Sequence, residues 1–323
     1  MVEFGYKLMT EEHGPKALVE NAKRAEAAGF DFVSISDHFH PWLESQGHAP
    51  FAWSVLGAIA HSTSKVGITT GLTCPILRYH PAIIAQAAAT IAVMSDDRFT
   101  LAVGAGERLN EHVTGVRWPS IPERHAMLGE AIDICRILWG GGVHSWRGEH
   151  FILDHAQLYD LPQRPIPIAL GVSGPGGVAL ATEKADAIMA VEPNGELVKG
   201  FRAKNSGAPA YVEVTLAYAA TEDEGLALAR DRFRFGALGW AVNSELPSVA
   251  AFEAASKFIR PEDLKDQIPA GPDPEPHLAA IRKAADAGFD HVVLTGVGPD
   301  QEGFIRFFER ELKPRLTQLK RAA

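Results

Sequence analysis

Short, nearly continuous apolar runs alternate along this chain with longer stretches in which apolar side chains recur three and four positions apart. The short runs are "FGYKLM" (4–9), "DFVSIS" (31–36), "KVGITTGLT" (65–73), "RFTLAVGAG" (98–106), "PIPIALGVS" (165–173), "DAIMAVEP" (186–193), "YVEVTLAYA" (211–219) and "HVVLTGVG" (291–298). Such runs suit strands covered on both faces. Between them lie "GPKALVENAKRAEAAGF", "HPAIIAQAAATIAVMS", "ERHAMLGEAIDICRILW", "GGVALATEKA" and "PHLAAIRKAADAGF", whose spacing predicts helices, with Gly29 as the C-terminal stop of the first. Eight strand-like runs alternating with helices predict a closed (β/α)8 TIM barrel that takes up residues 1–323 as one domain.

Two stretches exceed what a simple crossover needs, at about 110–124 and 241–276. The second includes "RPEDLKDQIPAGPDPEP", which has too little apolar content for a core of its own. Both therefore read as insertions beside the barrel mouth.

Charge narrows the partners. With 31 basic against 40 acidic residues the chain carries a net charge of −9, which opposes binding to nucleic acid or to an anionic membrane. The N-terminus "MVEFGYKLM" has neither a basic segment nor a long apolar one, so a cytoplasmic protein is expected. Two cysteines, Cys74 and Cys135, exclude a disulfide framework, and Cys135 reads as core.

Catalytic groups in such barrels sit on the loops that follow the strands. That rule gathers "SDHFHPW", "TCPILRYHP", "GAGERLNEH", "SGPGG" and "EPNGE" at one face. Taken alone, Asp37 and His38 read equally as a turn cap and a rim side chain bonded to a carbonyl. The His38-x-His40 pair would place two imidazoles on one side of extended chain, as metal-dependent amidohydrolases do, but the later runs supply none of the further ligands, and no metal is expected. Gly104 and Gly106 let backbone approach a flat ligand, with Glu107 projecting into the mouth or, alternatively, complementing a helix dipole. "SGPGG" reads as an anion cradle opening a helix, or as a plain Gly-Pro turn.

These motifs, in order with "GHAPFAWSVLGAIA", "RYHPAIIAQAAATIAVMSDDR" and "GPDQEGFIRFFERELKPRL", resemble the coenzyme F420-dependent glucose-6-phosphate dehydrogenase group of the bacterial luciferase-like family along nearly the whole chain. The resemblance implies F420 as cofactor, with Asp37 and His38 at the deazaflavin and the reacting centre, Trp42 on the substrate side, and Glu107 as a proton donor or acceptor near the ring. It implies a non-prolyl cis peptide at Leu72-Thr73 with Cys74 in contact with cofactor, Ala105, Gly106 and Asn110 completing the ring site, and Ser173, Gly174, Gly176 and Gly177 holding the phosphate of the cofactor tail. His38, with a pKa near neutrality, then suits a general base. A homodimer is expected from the same likeness. Where the group carries a phosphate-binding lysine this chain has Asn194 between Glu192 and Glu196, and the matching arginine falls near Asp266. An uncharged alcohol or carbonyl substrate is therefore expected in place of glucose 6-phosphate. The alternatives are an FMN-dependent monooxygenase on the same fold and a non-catalytic F420 carrier.

Overall fold

The computed structural model describes residues 2–316. Its first half runs β1 (Glu3–Leu8), α1 (Pro15–Ala28), β2 (Phe32–Ile35), α2 (Ala52–Ser62), β3 (Gly67–Thr70), α3 (Pro81–Met94), β4 (Phe99–Val103), α4 (Arg108–Glu111) and α5 (Ile121–Trp139). Then follow β5 (His144–Arg147), β6 (Ile152–Ala156), β7 (Ile168–Gly171), α6 (Pro175–Lys184), β8 (Ala187–Ala190), α7 (Gly195–Arg202) and β9 (Ala210–Leu216). The chain closes with α8 (Glu222–Phe233), α9 (Trp240–Asn243), α10 (Val249–Ser256), α11 (Pro261–Leu264), α12 (Pro274–Asp286), β10 (His291–Gly296), α13 (Gln301–Phe307) and α14 (Lys313–Leu316).

Eight strands close into a parallel barrel in the order β1-β10-β9-β8-β7-β4-β3-β2, so the chain is a (β/α)8 barrel. All eight runs picked out by their apolar density are its staves. The first helix ends as its glycine dictates: Gly29 takes φ 80°, its N–H reaches the Glu26 carbonyl, and the Phe30 N–H reaches the Ala25 carbonyl. The antiparallel hairpin β5-β6 was not foreseen. Its strands are short and half exposed, and what holds it is distant in sequence. Glu130 on α5 accepts from Trp146 Nε1 (2.8 Å) and from the backbone N–H groups of His150 (2.9 Å) and Phe151 (3.1 Å).

Inside the barrel Phe32, Ala102, Ala169, Ala187, Met189, Tyr211 and Val293 form the floor, with Leu72 packed on it. Phe32 meets Tyr211 edge-on, 5.5 Å between centroids at 85°. The buried Lys7 ammonium is ion-paired with Glu213 and donates to the Gly71 carbonyl at 2.6 Å. The interior thus turns from apolar to charged toward the loops after the strands, and a buried charge is tolerable only with such a partner.

Short helices cover that face. A 3-10 turn at Arg234–Leu238 together with α9, α10 and α11 makes up the later insertion, which begins before residue 241. Phe235 and Phe252 pack on Trp42, Leu43 and Leu109, joined by Phe233, Leu238, Trp240, Leu246 and Val249. The segment's apolar side chains are therefore buried against the barrel loops. The earlier insertion is α4, a 3-10 turn at His112–Thr114 and a loop that ends where α5 begins at Ile121.

The floor gives a stability prediction. A Cβ on Gly5 would overlap the Phe32 ring. Gly5→Ala is expected to lower the unfolding free energy by about 1–3 kcal/mol, the usual cost of overpacking. Urea denaturation checks this, and an unchanged midpoint would show that the Phe32–Tyr211 layer shifts freely.

Candidate functional site

The chain leaves β2 at Ile35, and its next three residues fix the site. Ser36 Oγ receives the Thr10 N–H at 2.9 Å and donates to Glu11, locking the loop after β1 to the loop after β2. Asp37 has no exposed side-chain surface. One carboxylate oxygen accepts from Thr73 Oγ1 (2.8 Å), the other from Arg78 Nη2 (3.1 Å) and the Tyr79 hydroxyl (3.0 Å). Arg78 Nη2 also donates to the Asp37 carbonyl at 2.7 Å. Asp37 therefore ties β2 to the loop after β3, with both oxygens committed to protein donors.

His38 turns inward from that anchor. Its Nε2 lies 3.2 Å from Glu107 Oε1 and 3.4 Å from Glu11 Oε1, and its Nδ1 lies 3.2 Å from the His40 carbonyl and 3.0 Å from Asn110 Nδ2. Burial alone would drive the imidazolium's pKa down. Glu11, then Glu107 and the His40 carbonyl, outweigh burial and push it up to about 9. The reciprocal effect holds both carboxylates ionised: burial raises them, but His38 with Ser36 and Lys7 brings Glu11 below its usual range, and His38 with Asn110 and Arg78 does the same for Glu107. Two expectations change here. His38 is not poised near neutrality as a free base but carries its proton there, and Glu107 is a paired carboxylate and not a proton donor at rest.

Trp42 closes this cluster from above. Its ring stacks on Phe235 (4.8 Å, 12°), meets Phe252 edge-on (5.0 Å, 76°) and lies 4.8 Å from the His38 ring. Its Nε1–H is not free for a substrate, because it donates to Glu11 Oε1 at 3.2 Å. The pair read as His38-x-His40 is also split. His40 turns to the rim, its ring 6.3 Å from that of His112, since the loop is not extended there. Among the described residues no group of three or more His, Cys, Asp or Glu is placed to hold a metal ion.

Beside His38 the glycine loop after β4 packs closely, with Gly104 and Gly106 both buried. Gly106 has φ 80°, and a Cβ on Gly104 would come within 3.0 Å of Leu72 Cδ1. Ala105 lies between them, half-buried, and Cys74 Sγ, buried, faces both glycines. The cis peptide is Gly71-Leu72, one bond before the place the resemblance implied. At Gly71 a side chain would run into Ser34 Oγ and toward Lys7 Nζ, so only glycine fits. Thr73 N–H bonds to the Ala102 carbonyl at 3.0 Å, and the Gly104 N–H to the Thr73 carbonyl at 3.0 Å, so the two loops are stitched together.

Further round the barrel a cleft of about 550 Å³ runs between α6 and α7, with Ser173, Gly174, Asn194, Glu196 and Lys204 on its walls. Gly176 faces His125, and Gly177 is buried against Val172. The first-turn amides of α6 have no acceptors within the helix and point out of its start. Asn194 caps α7, accepting the Glu196 N–H at 3.1 Å. Arg202 cannot replace the absent lysine there. Its guanidinium is bound to the Ala208 and Gly288 carbonyls and paired with Asp290, below the N-terminal ends of the strands.

The predicted residues thus fall in three places: His38, Trp42, Glu107 and Asn110 in one cluster, Asp37, Leu72, Thr73, Cys74, Ala105 and Gly106 along the stitched loops, and Ser173 and Gly174 at the cleft, which Gly176 and Gly177 do not line. Sequence reasoning missed Glu11, Arg78 and Glu111. Glu111 is buried beside Arg78, its Oε1 3.5 Å from Nε, and burial, only partly countered by Arg78, raises its pKa to about 7. The signal for Glu11 was available: "MTEEHGP" follows the first strand at the catalytic face as "SDHFHPW" follows the second.

The luciferase-like monooxygenase family description matches residues 2–291. This chain belongs to the luciferase-like family. It is 36% identical to an F420-dependent glucose-6-phosphate dehydrogenase of Amycolatopsis mediterranei over 99% of this chain and 100% of that one. It is 35% identical to the enzyme of that name from Tsukamurella paurometabola, over 98% and 99%. Among solved structures it is similar to an F420-dependent secondary alcohol dehydrogenase in complex with an F420-acetone adduct, with TM-score 0.89, 30% identity, and 97% and 98% coverage. No helix among the described residues is long and apolar enough to cross a membrane.

The His38 cluster makes folding depend on pH. A group whose folded pKa is raised from 6.5 to about 9 adds stability that is complete below 6.5 and lost as pH rises through 9. Between pH 7 and 8.5, unfolding free energy is expected to fall by roughly 2 kcal/mol through this group. His38→Asn should flatten most of that slope in chemical denaturation, and an equal slope in the variant would place the coupling elsewhere.

Proposed function

We propose that this protein is an F420-dependent oxidoreductase that reduces an uncharged carbonyl compound, or in reverse oxidises an alcohol, with His38 as the group that gives the substrate oxygen its proton. The observation that carries the reading is His38 itself, an imidazolium held between Glu11 and Glu107 under an aromatic wall. The cofactor is supported by family membership and by relatives that share a third of the sequence over their full length. The residues present fit a planar ring with an anionic tail. Gly104 and Gly106 let the loop pack closely on Leu72 and Cys74, which would underlie the ring, and the α6 amides open toward the Ser173–Gly174 cleft. When bound, the deazaflavin supplies the hydride.

The protein's own residues do the rest. Asp37, Arg78 and Thr73 hold the floor of the site rigid, so that His38 is presented in one place. Glu11 and Glu107 keep its proton on the ring at neutral pH, and Trp42, Phe235 and Phe252 shield the charged trio from water, which strengthens each charge interaction.

The names of the relatives point to glucose 6-phosphate, whereas this site supports a neutral substrate. The α6–α7 cleft is the one given to the cofactor tail, and outside it Arg78, Arg124 and Arg202 are each already paired with a carboxylate. A phosphate dianion would face carboxylates around His38 without a free cation from these residues. The solved relative that carries an acetone adduct is consistent with a small ketone. We also read the whole chain as one barrel domain, acting as a homodimer in the cytoplasm.

The test begins with binding. Fluorescence titration is expected to show tight binding of F420 and weak binding of FMN, and the reverse order would favour the monooxygenase reading. Reduced F420 with a panel of short ketones should give turnover, and glucose 6-phosphate with oxidised F420 negligible rates. A micromolar KM for the sugar phosphate would overturn the substrate class. His38→Ala should lower kcat about 100-fold or more with F420 affinity changed only a few-fold, the usual effect of removing a general acid. The kcat/KM for ketone reduction should be flat near neutrality and fall above about pH 9 as His38 loses its proton.

A further inference from the structure

We propose that Asn110 is a positioning residue that decides which ring nitrogen of His38 holds the proton when the ring is neutral. The inference builds on the reading of His38 as the proton-transfer group. Asn110 is 1% exposed, on α4. Its Oδ1 receives two backbone N–H groups, from Phe39 at 2.8 Å and His40 at 3.0 Å. Two donors converging on one amide atom require oxygen there, so the orientation of the carboxamide is dictated by the main chain. Nδ2 then faces Glu107 Oε1 at 3.0 Å and His38 Nδ1 at 3.0 Å, with one hydrogen for each.

The two nitrogens of His38 therefore see opposite surroundings. Nδ1 meets a donor, which favours a lone pair. Nε2 meets two carboxylates, acceptors only, which favour a hydrogen. The neutral ring is the Nε2–H tautomer. The imidazolium must also place a hydrogen on Nδ1, where the His40 carbonyl at 3.2 Å accepts it against the Asn110 N–H. Glu11 and Glu107 draw a second proton onto the ring, and Asn110 resists it.

No other charged group enters this balance directly. The ring is faced by Glu11 from the loop after β1, by Glu107 and Asn110, by the His40 carbonyl and by the Trp42 ring. Lys7 and Arg78 act through Glu11 and Glu107, and the His40 ring lies out at the rim with His112. In either charge state Nε2 carries a hydrogen toward the carboxylate side. Giving up the Nε2 proton of the imidazolium leaves the Nδ1–H ring, and taking a proton back at Nε2 starts from that same ring, so the tautomer that Asn110 disfavours is the one through which proton transfer passes in both directions.

The test is nitrogen-15 NMR of the histidine rings in the full-length protein without cofactor, titrated from neutral to alkaline pH. Wild type is expected to show neutral His38 protonated on Nε2. Asn110→Asp keeps an oxygen for the Phe39 and His40 N–H groups but turns the donor at Nδ1 into an acceptor. It should shift the tautomer ratio toward Nδ1–H about tenfold and raise the His38 pKa by about one unit. Neutral wild-type His38 protonated on Nδ1 overturns the inference, as does a folded Asn110→Asp variant with unchanged tautomer and pKa. Should that variant not fold, the wild-type spectrum alone decides. Lack of turnover with every carbonyl would sink the proposed activity and leave this result standing, while turnover together with an Nδ1–H ring would sink only this inference.

Discussion

One imidazolium between two carboxylates organises the catalytic face of this barrel. Glu11 comes from the loop after β1, His38 from the loop after β2 and Glu107 from the loop after β4, so the contact can form only when three staves are in register. Desolvation penalises each charge alone, and each is kept by the others. Removing His38 would leave two buried carboxylates without the cation they share. The arrangement is thus a structural junction held by electrostatic balance.

Around that junction the polar groups are layered. Asp37, Arg78, Thr73 and Tyr79 join the loops after β2 and β3, and Lys7 with Glu213 carries the charge below them into the barrel interior. Buried charges here meet partners within hydrogen-bond reach, which restrains the loops more tightly than apolar packing would. Above, the stack of Trp42 and Phe235 covers one side of His38.

The later insertion shows how such a wall is built. Its helices are too short to fold alone, and their apolar residues find burial on Trp42, Leu43 and Leu109 and, through Leu264, on Leu226, Ala229 and Val297. Arg124 and Trp118 reach it from the other side of the mouth, both bound to Glu245. The two insertions are therefore one roof, joined by the Arg124–Glu245 ion pair and the Trp118–Glu245 hydrogen bond, while within the earlier one the Arg124 guanidinium lies 3.9 Å over the Trp118 ring.

The sequence by itself determined the barrel, because strands buried on both faces must be apolar throughout and the helices between them must carry a stripe, and both patterns are local. It also determined which loops bear the chemistry, since the fold places every loop after a strand at one face. Gly29 was legible for the same reason, as a helix stop that takes a positive φ. What only the tertiary structure decided is how the side chains pair. Asp37 and His38 are neighbours in the chain, yet one is consumed by Arg78, Thr73 and Tyr79 and the other by Glu11 and Glu107. Glu11, Arg78 and the β5-β6 hairpin escaped sequence reasoning because their partners lie tens of residues away. The protonation of His38 depends on a sum of burial and charge that no local pattern contains. Electrostatic energy follows distance in space, and that distance exists only once the barrel has closed.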